Sequence, residues 1–114
     1  MAYPYVNIFD STAYNAWGTV SYLTAFCSND DYSVTPNTAW QASSRGTCLV
    51  TMITATVRTP AGDIVATPYT SSGTSYSQFA IIQTGPSSFE VTRRVSLSED
   101  APPPGYVEPT VKQK

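Results

Sequence analysis

The chain has 114 residues, enough for one domain and too few for two cores of ordinary size. Six basic and eight acidic residues leave a net charge of −2, which excludes the basic face that sequence-independent nucleic-acid binding needs. Histidine is absent, so Ser-His-Asp and Cys-His nucleophiles, histidine zinc sites and a histidine pH switch are excluded together.

Ser and Thr fill 30 positions, so the polarity is mostly uncharged hydroxyl, and 41% hydrophobic residues argue against a disordered chain. Helical periodicity is absent, while Val, Ile, Thr, Tyr and Phe are abundant, which predicts strands. Val6 and Ile8 alternate with Asn7 and stop at the turn-like Asp10-Ser11-Thr12. A run from about Trp17 to Phe26 puts Val20, Tyr22 and Phe26 on one face. Tyr32 and Val34 form a short strand closed by Pro36-Asn37, then Trp40 and Ala42 precede a break at Ser43-Ser44-Arg45-Gly46. The longest strand predicted is Thr47 to Arg58, with Leu49, Thr51, Ile53, Ala55 and Val57 facing one way. Thr59-Pro60-Ala61-Gly62-Asp63 reads as a hairpin turn, with Pro60 presetting φ and Gly62 supplying the left-handed residue. Ile64 to Pro68 is the return strand. A second hairpin joins Ser77–Gln83 to Ser88–Leu97 through Thr84-Gly85-Pro86-Ser87. Seven or eight short strands with turns between them predict an all-β fold, an antiparallel sandwich or small barrel over residues 1–97.

Arg93 is the odd residue of the last strand, since strict alternation puts it on the apolar face of Phe89, Val91, Val95 and Leu97. Either a bulge re-aims it, or its head reaches a partner at the sheet edge while its stem packs, or it is a functional buried arginine. From Ser98 onward Pro102-Pro103-Pro104-Gly105-Tyr106-Val107 cannot form ladders, and residues 98–114 read as an extended, Pro-rich arm. Pro103, Pro104, Tyr106 and Val107 are its candidate partner contacts, and Pro103-Pro104-Gly105-Tyr106 has the form that WW domains read. Both lysines, Lys112 and Lys114, lie in this arm. A lysine-free body suggests sheet edges covered by the arm or by a neighbouring copy.

Cys27 and Cys48 allow one disulfide, worth about 3 kcal/mol for a loop of this length, or two small thiols. The N-terminal residues lack the pattern of a secretory signal, so the expectation is cytoplasmic synthesis, with later release or assembly into a particle, and free thiols. The acids mostly occupy turns. Asn29-Asp30-Asp31 lacks the spaced acids and turn glycine of a calcium loop and reads as a solvated turn. No cofactor, metal or catalytic group is expected. The run Ser71 to Ser77 offers hydroxyls around Gly73, and Ser72 and Thr74 with the rings of Tyr69 and Tyr76 form a candidate ligand loop. Fourteen aromatics, eight of them Tyr, exceed what so small a core needs and suit an interface.

Val6-Asn7-Ile8, the turn Asp10-Ser11-Thr12, Ser33-Val34, Trp40 and Ser44-Arg45-Gly46 leading into an apolar strand resemble small β-sandwich proteins of the aegerolysin-like and bacterial insecticidal type. The resemblance spans roughly residues 6 to 58. It implies a non-enzymatic protein that binds lipid or a gut-cell surface, with Trp40 and Arg45 as surface contacts. The expectation is therefore a toxin-like or lectin-like binding protein, forming homo-oligomers, for a membrane lipid, glycan or protein surface. The rival is a structural subunit of a filament or virion whose arm docks on a neighbour.

Overall fold

The computed structural model describes residues 2–24 and 26–94, and within them the protein is all-β with ten strands in two packed sheets. In chain order these are β1 (Asn7–Asp10), β2 (Ala16–Tyr22), β3 (Asp30–Val34), β4 (Ala39–Gln41), β5 (Val50–Ile53), β6 (Thr56–Thr59), β7 (Gly62–Val65), β8 (Tyr69–Thr74), β9 (Gln78–Gly85) and β10 (Ser88–Arg93). One sheet runs β10-β9-β1-β4. In the other, β2 lies between β3 and a row made of β5 and β6, whose far sides pair with β8 and β7.

The alternating apolar residues fill the space between the sheets. Val6 and Ile8 from one sheet meet Val20, Val50, Ile53 and Val57 from the other, with Phe79, Ile81, Phe89 and Val91 completing the core. Burying such side chains contributes about 1.5–3 kcal/mol each, which is the main favourable term here. The sheets join at one edge, where Thr67 donates its N–H to Phe89 and its carbonyl accepts from Val91.

Three details differ from the sequence reading. β1 and β9 pair in parallel, Ile8 opposite Phe79, so the sandwich is not wholly antiparallel. These strands lie 71 residues apart, and alternation within a strand says nothing about the direction of so distant a neighbour. The long 47–58 strand is two strands, because a register shift between Val50 and Met52 and a break at Thr54-Ala55 keep Val50, Ile53, Ala55 and Val57 all inward. Gly18 of β2 sits against that break; a Cβ there would run into the Thr54 carbonyl. Third, residues 71–74 belong to β8 and are not a surface loop.

The two hairpins form as expected, with Gly62 at φ 122°. Arg93 keeps the apolar side of β10, opposite Phe79, since the register shift of this pair falls between Ser88 and Phe89, and its guanidinium lies 3.4 Å from the centre of the Tyr76 ring. It is the edge arrangement, not a bulge, that accommodates the charge. The expected arm with Pro103, Pro104, Tyr106 and Val107 lies outside the described residues, as do Val95 and Leu97.

The cysteines are joined. Cys27 and Cys48 form a disulfide with Cα atoms 6.0 Å apart, which corrects the expectation of free thiols. The reason is topological: β2 leaves and β5 enters the same end of the sheet as antiparallel neighbours, Tyr22 opposite Val50, and Leu23 continues the ladder by donating to the Leu49 carbonyl. The two flanking loops are thus delivered side by side.

Candidate functional site

The end of the sandwich where the disulfide sits collects the loop after β2, the loop before β5, the end of β8 and the N-terminal segment. Arg45 ties three of these together. Its side chain is 4% exposed; Nε donates to the Cys48 carbonyl at 2.8 Å, and the terminal nitrogens donate to Pro4 and Thr74 carbonyls at 3.0 Å each. The Tyr3 ring lies against its guanidinium, centroid 5.4 Å away, and Tyr3 donates its N–H to Gly46. A planar five-donor cation suits this task, since it can satisfy several carbonyls from different segments at once.

Above this hub stands an apolar tip. Phe26 is 99% exposed and Leu23 52%, each on the loop that the disulfide pins. Leu23 and Leu49 close over Gly73, where a Cβ would approach Leu23 Cδ2 to 3.3 Å. Beneath the tip is a cavity of about 220 Å³ bordered by Tyr22, Phe26, Asp30 and the disulfide. Tyr22 donates its hydroxyl to Asp30 at 2.6 Å, and burial, with that carboxylate next, pushes the phenol above its ordinary range. It stays neutral and acts as a fixed strut. Asp31 likewise accepts from Thr19, so Asp30 and Asp31, expected in a solvated turn, instead open β3 and bond across to β2.

The sequence-selected residues do not converge. Trp40 on β4 packs inward, 5.5 Å from Tyr32 between ring centres, and Arg45 is interior, so neither is the surface contact that was expected. Tyr69 is buried against Phe79, and Thr74 is fully buried. Ser71 donates to the Val50 carbonyl and accepts from Gly73, while Thr74 accepts from the Tyr76 N–H, so these hydroxyls are spent on the backbone. Ser72 alone of the six is exposed; Tyr76 is half-covered under Arg93. What the sequence reading missed is Phe26, assigned there to the inner face of β2. A signal existed: Thr24 occupies the inward position between Tyr22 and Phe26, where a strand facing the core would carry an apolar residue.

All four arginines lie over aromatic rings: Arg45 on Tyr3, Arg58 on Trp17, Arg93 on Tyr76 and Arg94 on Phe9. With both lysines confined to residues 112–114, the tip carries no basic cluster among the described residues. No known family model matches this chain, and no curated protein or solved structure is significantly similar to it.

Proposed function

We propose that this is a non-enzymatic binding protein that seats its disulfide-clamped end on a lipid membrane, inserting Phe26 and Leu23 at the headgroup boundary. The observation that carries the reading is a phenylalanine left 99% exposed on a loop held by a covalent cross-link. Holding the loop rigid lowers the entropy lost when the tip docks. Each apolar side chain taken from water contributes about 1.5–3 kcal/mol, enough for weak, reversible attachment by one copy and for firm attachment by several. Tyr22, Tyr3 and Tyr5 near the same end suit the boundary, with an apolar ring and a polar tip. Without a basic cluster, the surface favoured is electrically neutral. A disulfide in the working loop suits action in an oxidising compartment.

Flotation with neutral phosphatidylcholine vesicles tests this. The wild-type chain should co-float, and Phe26→Ser should weaken partitioning about tenfold or more with an unchanged melting temperature, because Phe26 packs against little. A wild-type chain that stays with the soluble fraction, or a Phe26→Ser variant that binds equally, refutes the reading. A large particle by light scattering that Phe26→Ser dissolves would reassign the tip to contacts between subunits.

A further inference from the structure

The opposite end of the sandwich holds a second, independent feature. A groove of about 380 Å³, within the size range of small-ligand pockets, opens between the start of β2, the end of β3 and Arg58 of β6. We infer that it binds the ring of a neutral sugar. Its apolar lining comes from the Trp17 ring and, where the groove meets the core, from Ala16 and Val34. Trp17 lies beside Ser33 across the β2–β3 ladder, and the Arg58 guanidinium sits 5.0 Å from its ring centre, which fixes the indole in place. Asn15 is drawn in by accepting the Arg58 backbone N–H at 2.9 Å.

The polar groups at this groove fall into two sets. Thr35 and Thr38 are bonded to each other, hydroxyl to hydroxyl at 3.0 Å, and serve to close the turn. The Asn15 carboxamide and the Ser33 hydroxyl make no side-chain hydrogen bond among the described residues. Arg58 commits only Nε, to Asp63 at 3.3 Å, and its side chain is 66% exposed. The groove therefore offers an indole, apolar lining, an amide, a hydroxyl and a guanidinium.

That set matches a polyol better than an anion. A sugar presents C–H groups on one face, which pack on indole, and hydroxyls at the rim that both donate and accept. Within the groove Asn15 and Ser33 supply acceptors as well as donors, and Arg58 adds donors whose charge Asp63 partly offsets. A phosphate or carboxylate accepts only, and Asp63 would repel it.

The test is an array of neutral hexose, N-acetylhexosamine and sialylated glycans, followed by calorimetric titration of the best neutral hit. The full chain should bind a neutral glycan, with Arg58→Ala and Ser33→Ala each weakening it about tenfold and Trp17→Phe more, all three melting like wild type. Phe26→Ser should bind glycan normally, which separates this site from the membrane reading. No glycan bound, binding confined to sialylated glycans, or binding unchanged in Arg58→Ala and Ser33→Ala would each overturn the inference.

Discussion

At one end of the sandwich side-chain oxygens close several turns on partners two to four residues away, whereas at the other Arg45 and the disulfide also tie together segments 21 to 41 residues apart. The local end is built from hydroxyls. Asp10 accepts from the N–H and hydroxyl of Thr12, Thr38 donates to the Thr35 carbonyl, Thr59 to that of Gly62, and Thr84 to the Ser88 hydroxyl. The far end is built from Arg45 and the disulfide, and it carries the exposed Phe26. Local turns are cheap in chain entropy and make compact corners. The projecting loop closes locally only through Thr24 and Cys27 among the described residues, and it is further fastened from elsewhere in the chain by the disulfide and the Leu23–Leu49 bond.

Removing the hub should break that contrast most severely. Arg45→Met leaves the carbonyls of Pro4, Cys48 and Thr74 without their donor in an enclosed place, and should cost about 3 kcal/mol or more in urea unfolding. A loss under ~1 kcal/mol would mean water replaces the guanidinium and the end is not pinned by it.

The cross-link comes next. Replacing both cysteines by serine should cost about 3 kcal/mol, given a separation of 21 residues. Hydrogen exchange should then speed at Leu23 and Cys27 while the Thr35–Thr38 turn keeps its protection. Vesicle binding should weaken in step, since the tip loses its clamp. Equal exchange rates at Leu23 in both proteins would show that the ladder bond to Leu49 alone holds the loop.

The same contrast explains what the sequence revealed. Pro60, Gly62, Asn37 and the Asp10-Ser11-Thr12 cluster announce their turns because the partner is a few residues away, and alternation of Val6, Ile8, Phe89 and Val91 announces the buried faces. Asn37 adopts φ 59° where asparagine was read as a turn residue. Arg45 was read as a surface contact because its three carbonyl partners come from segments up to 41 residues away. The disulfide was misjudged because compartment arguments replaced a geometry that only the β2–β5 pairing supplies. Hydroxyls in 71–77 suggest a ligand loop, yet residues 71–74 form a strand beside β5 in which Ser71 and Thr74 bond to the backbone.

At the local end smaller effects are expected. Thr38→Val removes a hydroxyl that donates to the Thr35 carbonyl and accepts the Thr35 N–H, and should cost about 1 kcal/mol. Because this turn also lines the groove, a thermal melt and a glycan titration on the same variant would tell shape from binding. A cost near that of Arg45→Met would erase the distinction between ends.

The smallest effect expected is also the most specific to this end. Asp10 is fully buried, with one carboxylate oxygen satisfied by Thr12 and Oδ2 without a partner. Burial raises its pKa above the ordinary 3.8, and the two Thr12 bonds pull it partly back. A carboxyl whose folded pKa is raised favours the protonated fold, so its contribution is fully present below about pH 3.8 and is lost as pH climbs through the folded value. The Asp10 component of stability should therefore fall as pH rises above about 3.8, opposite in sign to a salt-bridged acid. Asp10→Asn keeps an oxygen for the Thr12 N–H and cannot ionise. Melting temperatures of the two proteins should converge toward pH 4, with the variant gaining on wild type as pH rises. A difference independent of pH would show that Oδ2 is solvated in the folded protein and that this corner, unlike the Arg45 hub, is open to water.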